Sequence, residues 1–123
     1  MYDENNVFAR IVRGELPASK IFEDDQVIAF NDISPAAPSH VLVIPKGKYI
    51  SFDDFMVKAD ERTVKHFFFT VRKIAADMGL KENGYRIITN HGRDGSQTVP
   101  HFHVHILGGK QLGPLIAGDR KVR

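Results

Sequence analysis

Apolar and polar positions along this chain follow three rhythms, and each predicts an element. Val7, Phe8, Ile11 and Val12 recur at offsets of three and four, the spacing of one helix face, with Asn6 placed to cap them. A short helix is expected there, ending near Gly14 ahead of Leu16 and Pro17. Two β-rich runs follow, Lys20-Ile21-Phe22-Glu23 and Val27-Ile28-Ala29-Phe30, parted by Asp24-Asp25, which predicts a hairpin. Pro35 and Pro38 hold a loop. Ser39 to Pro45 contains the unbroken run Val41-Leu42-Val43-Ile44 and predicts a central strand covered on both faces.

Ser51 to Phe55 predicts a helical turn, and Asp60 caps a long helix behind it. Val64, Phe67, Phe68, Val71, Ile74, Ala75 and Met78 form its apolar stripe, and Gly79 stops it. Phe69 lies off the stripe, so it is exposed or packed on another subunit. Two strands close the pattern, Tyr85 to Asn90 and His101 to Leu107, joined by the loop His91 to Pro100. The order helix, strands, helix, strands predicts an α+β fold: a five-stranded antiparallel sheet with one long helix and a short N-terminal helix. One domain is expected over residues 1–123, with a core over 6–110 and a tail over 111–123.

Composition narrows the chemistry. The 123 residues are 42% hydrophobic and 26% charged, suited to a single globular domain. Seventeen Lys and Arg against fifteen Asp and Glu give a net charge of +2, too mild to suggest nucleic-acid binding; the like-charge run is confined to the tail ending at Arg123. Cysteine is absent, which removes disulfides, thiolate metal sites and cysteine nucleophiles. No stretch reaches the length of a membrane span and the first residues carry no leader pattern, so a cytoplasmic protein without membrane contact is expected.

Candidate chemistry concentrates at His101, His103 and His105, alternating with Phe102, Val104 and Ile106. On a strand this alternation sends three imidazoles to one solvent-facing side and three apolar side chains to the core. Neighbouring imidazoles are then about 6.6 Å apart along the strand and the outer two about 13 Å. Three readings are open: a polar outer face; a metal site completed by His40 or His91; or phosphoryl chemistry, in which a neutral imidazole attacks phosphorus and its neighbours stabilise the oxygens. The Gly92 to Thr98 loop favours the third, since glycines let backbone amides approach an anion and Ser96, Gln97 and Thr98 add donors.

The run His101-Phe102-His103-Val104-His105-Ile106-Leu107 resembles the signature of the histidine triad superfamily. Phe30 to Lys46, Asp94 to Val99 and Gly108-Gly109 extend the likeness over nearly the whole chain, toward the branch of histidine triad nucleotide-binding proteins of bacterial type. The resemblance implies a homodimeric domain that binds purine nucleotides. It also implies cleavage at the α-phosphorus of nucleoside phosphoramidates or related adenylyl compounds through a covalent nucleotidyl-histidine, with no cofactor or metal required. His103 would be the nucleophile, His105 would contact the phosphate, and His101 and His40 would support them. Asp32 would accept hydrogen bonds from the ribose hydroxyls, although the residue also suits a turn ahead of Ser34-Pro35. Asn90, Gln97 and Thr98 would surround the phosphate and leaving group, and Val7, Phe8, Phe30 and Ile33 would line the base pocket. Dinucleoside polyphosphate hydrolysis, or a nucleotide- or partner-binding module with incidental hydrolysis, are the alternatives.

The chain departs from that pattern in places. Pro100 precedes the triad where relatives commonly carry Tyr, so the strand is expected to enter differently. Ser96 replaces a frequent Gly, which matters if the position needs a positive φ. The tail lacks the Trp of some relatives. His66 and His91 are expected to be solvated and outside the site.

Overall fold

In the computed structural model, which describes residues 1–120, Asn6 caps α1 (Val7–Val12) by accepting the Ala9 N–H at 2.9 Å. The hairpin forms as β1 (Lys20–Glu23) and β2 (Val27–Asn31), and the central strand as β3 (Ser39–Pro45). Ser51 caps not a single turn but a two-turn helix, α2 (Phe52–Lys58), reinforced by Asp53 and Asp54 in its first turn. Asp60 caps α3 (Glu61–Asp77), and Gly79, at φ 77°, turns the chain out of it.

Strands β1 to β3 join β4 (Tyr85–Ile88) and β5 (Val104–Gly108) in one antiparallel sheet of order β1-β2-β3-β5-β4. The last two are shorter than the alternation predicts. β4 stops at Ile88 rather than Asn90, and β5 starts at Val104 rather than His101. Pro100 explains the late start: it has no N–H for a ladder, and the chain bends across it so that the His101 N–H returns to the Val99 carbonyl at 2.9 Å. Phe102 N–H then bonds the Tyr49 carbonyl at 2.7 Å, and only the next residues join the sheet.

The pleat divides the core in two. Val27, Ala29, Val41, Val43, Val104 and Ile106 face α2 and α3, where Phe55, Phe67, Val71, Ile74 and Ala75 cover them. Ile28, Phe30, Leu42 and Ile44 face α1 and pack on Phe8 and Ile11. The central strand is thus buried on both sides, as its continuous apolar run requires. Phe69 is off the stripe and exposed. Among the described residues no helix is long and apolar enough to cross a membrane. The end of the basic tail, residues 121–123, lies outside the described residues.

Candidate active site

Register carries His40 to the triad. In the β3–β5 ladder Leu42 lies opposite His105 and His40 opposite Leu107, so His40 and His105 are diagonal neighbours on the α1 face. Their rings meet, His40 Nε2 to His105 Nδ1, at 2.9 Å. Phe102, Val104 and Ile106 enter the opposite core, as alternation demands. The imidazoles, however, are not on a solvent-facing side: His101 is fully enclosed, His103 is 6% exposed, and His40 is also buried. Helix α1 covers the sheet here, and the Phe8 ring meets His103 edge-on at a centroid distance of 4.9 Å.

The hydrogen bonds assign a tautomer to every ring, because backbone groups have fixed donor or acceptor character. Pro45 offers only a carbonyl to His101 Nε2, at 2.8 Å, so that nitrogen carries the proton. His101 Nδ1 is then a lone pair that accepts from the Tyr2 hydroxyl at 2.6 Å. The His101 carbonyl in turn accepts from His103 Nδ1 at 2.7 Å, which leaves His103 Nε2 unprotonated. Ala36 N–H donates to His40 Nδ1 at 3.0 Å, so His40 carries its proton on Nε2 and donates it to His105 Nδ1. His105 therefore presents an Nε2–H. A free lone pair and a free N–H end up on neighbouring rings, 5.3 Å apart between centroids.

Burial favours the neutral form of the three triad rings. Desolvation pushes His101 down to about 4, against a smaller pull from its bond to the Pro45 carbonyl. His105 also falls to about 4, through desolvation and the neighbouring His103 and His40. Desolvation lowers His103 too, partly offset by the His101 carbonyl and by Asp32.

These groups open on a cleft of about 910 Å³. Val7, Phe8, Phe30 and Ile33 supply its apolar part, Asp32, Asn90 and Thr98 its polar part, and His103 and His105 bring two imidazoles to its edge. His101 and His40 stand behind the wall, in contact with the residues that line it. Gln97 is elsewhere: its Nε2 donates to the carbonyls of Ile50 and Val99, and its Oε1 accepts the Gly92 N–H, so its amide braces the loop. Asn90 also braces the loop, bonding the Gly95 carbonyl at 2.6 Å. Asp32 makes the turn, accepting Ser34 N–H at 2.8 Å through Oδ1, and its Oδ2 lies 3.4 Å from His40 Nε2.

Ser96 does require a positive φ, at 61°, a conformation that costs a non-glycine residue about 1 kcal/mol or more. Its neighbour Gly95 is needed for space, since a Cβ there would lie 2.6 Å from the His91 carbonyl oxygen. His91 is exposed as expected. His66 is not simply solvated, because its Nε2 meets Asp24 Oδ2 at 2.8 Å and ties α3 to the β1–β2 turn. The residues that sequence reasoning missed are Tyr2, Tyr49 and Thr89, the last donating to the His103 carbonyl at 2.8 Å.

Asp32, His40 and His105 place one potential ligand atom each within 4.8 Å of one another. This donor set does not fit a cation. His40 would have to coordinate through Nε2, yet the amide facing its Nδ1 keeps the proton on Nε2. The His40 or His91 arrangement weighed for a metal is thus disfavoured at His40 by that amide.

The sequence model of the HIT domain matches residues 13–112. The chain belongs to this family. Over 115 residues this HIT protein is 50% identical to an uncharacterised 13.2 kDa HIT-like protein of Azospirillum brasilense, covering 94% of each chain. It is 41% identical over 114 residues to a purine nucleoside phosphoramidase of Escherichia coli strain K12, covering 93% of this chain and 95% of that one. Among solved structures it resembles a histidine triad protein from Clostridium difficile at a TM-score of 0.82 and 41% identity, covering 94% of this chain and 100% of that one. A HIT family hydrolase from Legionella pneumophila superposes at a TM-score of 0.85 with 39% identity, covering 90% and 98%.

Proposed function

We propose that this HIT protein is a nucleotidyl hydrolase or transferase. It binds a purine nucleotide in the apolar cleft and cleaves at the α-phosphorus of nucleoside phosphoramidates or related adenylyl compounds. The carrying observation is the tautomer wiring, which leaves His103 Nε2 as an unprotonated nitrogen at the cleft beside the Nε2–H of His105. Such a pair suits attack on phosphorus with stabilisation of its oxygens. The 41%-identical purine nucleoside phosphoramidase supports the substrate class.

In this reading His103 Nε2 forms a bond to phosphorus while the bond to the leaving amine breaks, the amine taking a proton from solvent at the open mouth. The resulting nucleotidyl-imidazolium keeps its Nδ1–H on the His101 carbonyl, which stabilises the positive ring. His105 Nε2–H donates to a phosphoryl oxygen throughout. Water then attacks phosphorus and gives up a proton to solvent at the open mouth, the electron pair of the P–N bond returns to His103, and the nucleoside monophosphate is released. Neutral imidazoles suffice, and no metal or cofactor enters the reading.

Mixing the protein with an adenosine phosphoramidate, quenching in base and mapping peptides by mass spectrometry is expected to find an adenylyl adduct on His103. Bound nucleotide with neither adduct nor AMP, across several leaving groups, would favour a binding module instead. Replacement of Asp32 by alanine is expected to weaken ribonucleotides about tenfold and 2′-deoxyribonucleotides much less, since one carboxylate oxygen accepts from each hydroxyl. Equal losses, read by titration calorimetry, would reduce Asp32 to its turn.

A second copy of the chain belongs to the same proposal. Strand β4 is a sheet edge with Tyr85 and Ile87 exposed, an apolar edge that pairing with an identical chain would cover.

A further inference from the structure

The segment bearing the nucleophile lies just outside the sheet. Pairing of β5 with β3 begins at Val43 and Val104, one residue past His103, so the ladder itself does not hold His101, Phe102 and His103. Their anchors are individual contacts: Phe102 N–H on the Tyr49 carbonyl, the Phe102 ring in the core, and the Thr89 hydroxyl on the His103 carbonyl. A further anchor is the His101 ring, clamped between the Pro45 carbonyl at one nitrogen and the Tyr2 hydroxyl at the other.

Tyr2 reaches His101 across 99 residues because the chain ahead of α1 is folded into a hook. The Asp3 carbonyl accepts both Asn6 N–H and Asn6 Nδ2, and the Asp3 carboxylate accepts Asn5 N–H. Asn6 also caps α1, so hook and helix share one residue. The rings of Tyr2 and Phe8 both meet His101 edge-on, at 5.7 and 6.3 Å, and His101 is fully enclosed. Water has no access to its Nδ1 while the hook is in place.

We propose that Tyr2 is a positioning residue for the reaction: by donating to His101 Nδ1 it holds that ring as the Nε2–H tautomer on Pro45 and so fixes the carbonyl that orients His103. This rests on the nucleotidyl-transfer reading for its effect on rate, but not for the hydrogen bond itself. Without the hydroxyl, a buried lone pair loses its donor, and the ring can regain one only by moving toward water or rotating away from Pro45. Either motion releases the restraint that the clamped ring places on residue 101, whose carbonyl sets the direction of His103 Nε2.

The test is Tyr2→Phe, which removes one oxygen and keeps the ring. Turnover of an adenosine phosphoramidate is expected to lose about tenfold in kcat, with KM within about twofold of wild type, since a misaimed nucleophile affects the transition state and not the nucleotide. Asp60→Ala, which removes the cap of α3 on the opposite face of the sheet, is the control for stability and is expected to keep kcat. In a His101→Asn background Tyr2→Phe is expected to cost nothing further. An unchanged kcat in Tyr2→Phe, or an undiminished loss in that background, overturns the proposal.

Proton–nitrogen NMR of the histidine rings reads the same contact without any substrate. One Nε2–H tautomer for His101 is expected in the wild type, with exchange or a second tautomer in Tyr2→Phe; identical His101 and His103 signals in both proteins overturn the proposal. If wild type turns over no phosphoramidate, the functional reading fails while the NMR comparison still decides the role of Tyr2 in holding the rings.

Discussion

Replacing His103 by alanine is expected to reduce turnover of a phosphoramidate by about 10³-fold or more while leaving nucleotide affinity within a few-fold. The truncation removes the one imidazole whose unprotonated nitrogen faces the cleft, and it leaves Asp32 and the apolar wall of Val7, Phe8 and Phe30 in place. Single-turnover kinetics and calorimetric titration of AMP separate the two effects. Retained turnover would remove His103 from the role of nucleophile. The pH profile of the wild type supplies a second reading of the same group. Attack needs neutral His103, and burial moves its proton affinity below the ordinary histidine value of 6.5. Activity is therefore expected to persist as the pH falls through 6.5 and to decline only at more acid values. A kcat/KM profile that falls at 6.5 or above would show an exposed rather than a desolvated nucleophile.

Phe102→Ala is expected to cost about 3–5 kcal/mol of stability and most of the activity with it. Phe102 is 1% exposed, stacks on Phe55 at 4.7 Å and packs on Phe67 at 5.1 Å. Against a total of roughly 5–15 kcal/mol for a small domain, that loss is large. The activity loss has its own cause, because Phe102 stands between His101 and His103 and its ring is the core anchor of a segment outside the ladder. Phe102→Leu retains an apolar filling and is expected to recover much of the stability but less of kcat. Urea unfolding followed by kinetics on the folded fraction measures both. A stability loss below about 1 kcal/mol would show that the stack does not hold the segment.

Why these two substitutions differ is written in the alternation of the triad, and that alternation was legible from the residues. Odd positions 101, 103 and 105 share one face and even positions enter the core, because successive side chains of extended backbone point oppositely whether or not the backbone is in a ladder. The caps Asn6 and Asp60 were legible for a similar reason: each acts on an amide three residues away, so a local pattern contains the whole interaction. The strand starts were less so. Pro100 signals a disturbance, but where the ladder resumes depends on which carbonyl receives the Phe102 amide, and that carbonyl belongs to Tyr49.

The site divides along the same line. Sequence by itself determined the α+β order of elements, the two-sided burial of β3, the apolar and polar faces of the triad, and, through likeness of motif, the family. These are properties of neighbours along the chain, governed by a period of two or of three to four residues. Tertiary structure decided what the histidines can do. The contact of His40 with His105 spans 65 residues and exists because of β-ladder register; that of Tyr2 with His101 spans 99 and exists because the N-terminal hook closes over the sheet. The backbone groups of Pro45, Ala36 and His101 assign the protons, those contacts pass the assignment from ring to ring, and helix α1 and the sheet supply the burial that favours neutral triad rings. A ring's tautomer is set by what touches its two nitrogens, and such partners come from wherever the fold brings them.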